Sequence, residues 1–294
     1  MAACVIGSLA VVALLMHAAG LAIEPLGRGI LPYYLAATIL VPLRLYGARW
    51  WPRHGPAIAA FSEYAGTFTL VALTGATAAY PIAALTSGLH DAALQRIDVA
   101  LGFDWLAWYR LVADHRALQW LGTAAYQSIY LSPAILLGRF AWAGQRGMAH
   151  RFLLTFWLAA VLTLALYALM PAVGPLTYLW RGPLPYVPES EQWQASLIPL
   201  LRAHLVHYVD LGHLRGIVSA PSFHTAAAVI YISTAWPHRE LRGPVLAINI
   251  AMLLSTPVEG THYLADMLIG AAVAMVAVLA MRLILPLEDI AARD

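Results

Sequence analysis

Lysine is absent from this chain, so all 17 of its basic residues are arginine. A codon bias toward GC-rich DNA accounts for that, and no function is read from it. Charge of either sign is scarce. Only 11% of the residues are charged and 61% are hydrophobic, against about 25% and about 45–50% in soluble domains. With a mean hydropathy of +0.71, the composition excludes an ordinary water-soluble domain and reads as an integral membrane protein. The single cysteine, Cys4, excludes an intrachain disulfide. Any metal centre would have to be built from histidine, aspartate and glutamate.

What the chain does have is long apolar runs. Residues 3–23 suffice to cross a hydrocarbon core of about 30 Å. Residues 18–22 imitate a signal-peptide cleavage site, but no basic residue precedes the run, so a retained first span is expected. Further spans are expected at about 29–46, 57–85, 117–141, 152–170, 222–236, 244–258 and 263–285, the seventh being short. The expected fold is therefore all-α, a polytopic membrane bundle of about eight spans forming one domain over 1–294, with a catalytic core at about 117–285. Residues 87–116 differ, because charges alternate there with Leu94, Ile97, Leu101, Phe103 and Trp105, and Gly102 divides the stretch. Two short amphipathic helices lying along the interface are expected. Glu63, inside the third span, is either a functional carboxylate or the partner of a loop arginine.

Eight spans put both termini on one side, with the arginine-dense turns that carry Arg44, Arg49, Arg53, Arg139, Arg146, Arg151, Arg239 and Arg242. The positive-inside rule places that side in the cytoplasm. The opposite loops, at 87–116 and 171–218, then face outward, in what would be a bacterial inner membrane.

Two short stretches on that outer side carry the chemistry, Ala220-Pro221-Ser222-Phe223-His224-Thr225 and Gly260-Thr261-His262-Tyr263-Leu264-Ala265-Asp266. Each puts a histidine where an apolar run begins. On a helix the i, i+4 spacing stacks Asp266 over His262, so that the carboxylate holds one imidazole nitrogen. A histidine so held is a candidate nucleophile. His262 would attack phosphorus, Asp266 would fix its tautomer, and His224 would act as general acid and then general base. Ser222 and the free backbone N–H groups at Phe223 would hold phosphate oxygens at a helix N-terminus.

The segments Pro221-Ser222-Phe223-His224 and His262-Tyr263-Leu264-Ala265-Asp266 resemble the second and third signature motifs of the type 2 phosphatidic acid phosphatase superfamily. The resemblance implies that His224 is the general acid and His262, paired with Asp266, the nucleophile. It is strongest over about 171–270, and Gln95-Arg96-Ile97-Asp98-Val99-Ala100-Leu101-Gly102-Phe103-Asp104-Trp105 is similar to a stretch in bacterial members. The chain departs from the pattern in three ways. Phe223 stands where a glycine is usual, Thr256 where an arginine is usual, and the lysine of the first signature is missing. These departures, with Pro171-Ala172-Val173-Gly174-Pro175, resemble the branch containing inositol phosphorylceramide synthases, which pass a phosphoryl headgroup from one lipid to another alcohol. Phosphate must then meet other cations, with Arg215 best placed and Arg96 and Arg181 behind it.

The resulting expectation is a membrane phosphatase or phosphotransferase, with a lipid phosphate or phosphodiester as substrate and water or an alcohol as acceptor. Neither a metal, a cofactor nor a nucleic-acid partner is expected. Three readings compete. His204, His207, Asp210 and His213 have spacing compatible with a metal. A transporter or flippase would relay protons through Glu63, Glu259 and Asp266 without turnover. An intramembrane serine hydrolase would use Ser222.

Overall fold

A computed structural model describes residues 1–24, 27–191 and 193–286. The protein is 76% helical. In chain order the helices are α1 (Ala2–Ala18), α2 (Leu31–Trp50), α3 (Gly55–Leu85), α4 (Asp91–Ala100), α5 (Trp105–Ala113), α6 (Arg116–Gln127), α7 (Leu131–Trp142), α8 (Arg146–Leu169), α9 (Pro175–Leu179), α10 (Trp193–Arg202), α11 (Phe223–Ala235), α12 (Arg239–Glu259) and α13 (Leu264–Ile284). Among the described residues, α3, α8, α12 and α13 are long and apolar enough to cross a membrane, and α1 and α11 are shorter apolar helices. An all-α membrane bundle follows.

Three expected spans differ in detail. The first helix stops at Ala18, since Gly20 takes φ +68° and Ala22–Ile23 then pairs in parallel with Tyr208–Val209. The run at 117–141 is two helices, α6 and α7, separated by a 3₁₀ turn at Ser128–Tyr130. Ser128 closes that turn by donating its hydroxyl to the Ala125 carbonyl at 2.6 Å, the local competition with helix that serine offers. The short member of the last three is α11, with 13 residues, whereas α12 has 21.

The core lies between α3, α7, α8, α11, α12 and α13, where Leu136, Phe140, Phe152, Phe156, Ile230 and Val245 are buried together. α11 and α13 approach closely because small residues face one another: Ala226, Ala227, Ala274 and Ala277 are buried there. At Gly270 even a methyl would overlap the Ser222 carbonyl oxygen. Inside the bundle, Asn249 of α12 donates to the Ser132 hydroxyl of α7 at 2.8 Å.

Glu63 is explained at the arginine-bearing end. It pairs with Arg44 at 2.7 Å and with Arg146 at 3.1 Å, tying α2, α3 and α8 together. Arg139 and Glu240 pair across the same end at 2.9 Å. Trp50, Trp51, Trp142 and Trp236 are all exposed near these turns, as expected of an aromatic belt at a membrane boundary.

The close approach of α11 to α13 can be tested by Gly270→Ala, which sets a methyl against backbone. A loss of about 1–3 kcal/mol is expected, read as a lower melting temperature in detergent. Gly66→Ala, where the added carbon meets only Leu40 Cδ1 at 3.9 Å, should leave the melt unchanged. Equal melting of the two variants would refute the packing argument.

Candidate active site

His262 sits in the turn between α12 and α13, and the sequence dictates that turn. The N–H of His262 bonds to the Pro257 carbonyl at 3.1 Å and that of Thr261 to the Val258 carbonyl at 3.1 Å. This is the Schellman closure of a helix, with Thr261 in the left-handed position at φ +49° where glycine is usual. A β-branched residue there stores about 1–2 kcal/mol of backbone strain. From α5, the Trp105 indole N–H donates to the same Pro257 carbonyl at 2.7 Å and locks the turn.

The imidazole is held on one side only. His262 Nδ1 lies 2.7 Å from the Ser219 carbonyl oxygen and 2.9 Å from Asp266 Oδ1. A carbonyl can only accept, so Nδ1 carries a proton, and in the neutral ring the free lone pair is on Nε2. His262 is 3% exposed and Asp266 fully buried. The other oxygen of Asp266 accepts from the Tyr263 N–H at 2.8 Å, completing a cap on α13.

Two carboxylates that the sequence reading left on a surface complete this cap. Asp98 of α4 accepts from the N–H groups of Leu264 at 3.0 Å and Ala265 at 2.7 Å. Asp91, also on α4, accepts from Val173 and Gly174 and from the Tyr263 hydroxyl, at 3.0, 2.9 and 3.1 Å respectively. Both are buried, and burial pushes both carboxyls above the usual carboxylate range against the pull of these donors. The helices at 87–116 are present, but the acidic face of α4 is directed inward, whereas Asp104 and Asp114 at the ends of α5 are exposed. The available signal was the seven-residue spacing of Asp91 and Asp98, which puts them on one helical face.

His224 lies in the first turn of α11 with its ring stacked on Tyr126, centroids 3.9 Å apart. His224, His262, Phe223 and Arg215 line one cavity of about 910 Å³. The guanidinium of Arg215 lies 3.3 Å over the ring of Trp193, which lines the cavity too, and the Arg215 N–H donates to the Tyr80 hydroxyl. Away from the histidines the cavity becomes an apolar limb between α3, α7 and α8, walled by Phe61, Phe68, Val71, Leu137, Phe156 and Leu164.

Of the expected cations only Arg215 reaches this cavity. Arg96 is exposed on the outer face of α4 because Asp98, two residues on, faces inward. Arg181 turns back onto the carbonyls of Thr177 and Trp180. The Ser222 hydroxyl is fully buried and serves as the α11 N-cap, taking the Thr225 N–H at 3.4 Å and the Thr225 hydroxyl at 3.2 Å. Among the described residues, the N–H groups of Phe223 and His224 find no protein acceptor, which leaves an open anion-attracting helix end beside His224.

The competing clusters do not assemble. His213 pairs with Asp210 while His204 bonds the Ala19 carbonyl. Glu259 is buried at the end of α12, accepting from the Tyr186 hydroxyl and the Glu189 N–H at 2.8 and 3.0 Å. Glu63 is tied down 17 residues before Tyr80, about 25 Å away along α3.

Residues 92–280 match the model of the PAP2 superfamily. The chain belongs to that superfamily. PAP2 superfamily members are generally phosphatases or phosphotransferases acting on phosphate substrates. The match takes in both histidines, Asp266, Asp98 and Arg215, but begins one residue after Asp91. No similar chain is found among curated proteins or among solved structures.

Asp98→Ala would strand two N–H groups at the buried head of α13. A destabilisation of about 2–6 kcal/mol is expected, at about 1–3 per unpaired group, visible as a lower melting temperature in detergent. A melt equal to that of the unaltered protein would mean that Asp98 does not hold α13.

Proposed function

We propose that the protein is a lipid phosphatase or phosphotransferase working through a phosphohistidine on His262. The observation that carries the reading is the Nδ1 contact with a carbonyl, which leaves Nε2 as the nucleophilic atom of a histidine lining the cavity. Nε2 attacks phosphorus, and the bond from phosphorus to the leaving oxygen breaks. His224 supplies the proton to that oxygen. Asp266 balances the positive charge that grows on the His262 ring. Water or an alcohol then attacks the phosphorus, His224 takes its proton, and the N–P bond breaks. The open N–H groups at the start of α11 and the charge of Arg215 bind the phosphate oxygens.

A lipid substrate is supported by the form of the cavity, polar where the histidines and Arg215 lie and apolar between α3, α7 and α8. The phosphotransferase branch that includes inositol phosphorylceramide synthases is supported by Phe223, Thr256 and the missing lysine. Both reactions share the same intermediate, so the acceptor distinguishes them. We place the arginine-bearing end and both termini in the cytoplasm, and the histidine end at the outer face of a bacterial inner membrane.

Purified protein in detergent with EDTA should turn over a phospholipid or a polyprenyl phosphate from a panel assayed with and without inositol, diacylglycerol or ceramide. Free phosphate without an alcohol indicates hydrolysis, and headgroup transfer only with one indicates a synthase. His262→Ala should abolish phosphoenzyme and turnover, and Asp266→Asn should slow both by about 10²-fold or more. Turnover undiminished in His262→Ala would sink the assignment, and an absence of turnover on every substrate would favour the transporter reading.

A further inference from the structure

Two side chains of the apolar limb have polar atoms with nothing to bond. Tyr231 on α11 is fully buried, Thr163 on α8 is 2% exposed, and both line the cavity. Among the described residues, neither hydroxyl has a partner. Such groups are satisfied elsewhere in the bundle. Thr74 and Thr155 donate to the carbonyl four residues back, at 2.6 and 2.8 Å. Among the tyrosines, Tyr33 donates to the Leu211 carbonyl, Tyr109 to the Tyr186 carbonyl and Tyr263 to Asp91. Tyr167 is unpartnered as well but lies outside the cavity wall. A buried hydroxyl without a partner opposes folding, and more so where lipid replaces water. Two of them on a mostly apolar wall ask for an acceptor that the described residues do not supply.

Their position says what that acceptor is. Tyr231 follows His224 by seven residues, hence lies on the same face of α11 two turns along, about 10 Å deeper. Its side chain leans back toward the start of the helix, as aromatic side chains on helices do. With phosphorus at His262, an acyl-linked lipid brings its ester or amide carbonyl just past the phosphate, whereas a prenyl phosphate brings only hydrocarbon. We infer that Tyr231 and Thr163 are specificity-determining residues whose hydroxyls donate to the acyl carbonyl of the substrate, so that the site prefers acyl-linked to prenyl-linked lipid phosphates. The inference rests on the lipid reading proposed above.

The test compares kcat/KM for dioleoyl phosphatidate and undecaprenyl phosphate in Tyr231→Phe, Thr163→Val and the unaltered protein. Each substitution removes a hydroxyl and keeps the shape, so the Tyr231 ring still packs on Phe152 and Phe156. Each should lower the acyl-to-prenyl ratio about five- to tenfold, the worth of one hydrogen bond. In lipid-free detergent neither variant should melt below the unaltered protein, because the lost hydroxyl had no partner to lose. A ratio unchanged in both variants would overturn the inference, as it would if the hydroxyls met only water. So would a lower melting temperature in both, which would mean that the hydroxyls are bonded within the protein. Failure of the unaltered protein to turn over any lipid of the panel above, with or without an alcohol, would instead bring down the lipid reading itself, and this inference with it.

Discussion

The carboxylate clamp on the head of α13 is the interaction on which the site depends. Asp98 and Asp266 between them take the N–H groups of Tyr263, Leu264 and Ala265. Asp91 reaches the Tyr263 hydroxyl and the backbone at Val173 and Gly174. One short helix, α4, thereby fixes the start of α13 and the turn after α8. Because Asp266 serves both the cap and the imidazole, the orientation of His262 is inherited from the cap. Such carboxylates at the positive end of a helix are held by dipole and hydrogen bond together.

The clamp also sorts the two helix ends that meet at the cavity. The head of α13 is already occupied by the protein's own anions, so it has little left for a phosphate. The head of α11 is capped only by the neutral Ser222, and the N–H groups of Phe223 and His224 remain open. On the proposed reading, a phosphate oxygen is directed to α11 and the nucleophile is presented from the turn before α13. The two motifs, 38 residues apart between His224 and His262, would then divide binding and attack between two helix ends, one closed by carboxylates and one open.

Much of this was legible in the chain. Hydropathy located the long apolar helices to within about six residues but missed α9 and α10, which lie in a stretch read as a loop, and the i, i+4 spacing gave the contact of His262 with Asp266, at 2.9 Å. The remainder failed for identifiable physical reasons. A window average over 117–141 does not register that Ser128 will bond its own turn. Charge at Asp91 and Asp98 reads as surface, because burial of a carboxylate depends on backbone donors that arrive from 173–174 and 264–265. Arg96 and Arg181 were nominated by proximity in sequence, whereas the direction of a guanidinium is set by the face on which its helix or turn packs. Ser222 was expected to hold phosphate, but its hydroxyl is taken up as the N-cap of α11, bonded to Thr225.

The ion pairs of Glu63 have a mechanical consequence. Arg44 and Arg146 lash α2, α3 and α8 together at the end remote from the histidines. Along the limb, the facing walls of α3, α7 and α8 present mostly Phe, Leu, Val and Ala to one another. The bundle is thus built like a clothes peg, held by ion pairs at one end, with mostly apolar faces of α3, α7 and α8 meeting along the limb. Parting those faces would exchange apolar contacts and break no ion pair, whereas parting the tied end would break the pairs of Glu63 with Arg44 and Arg146.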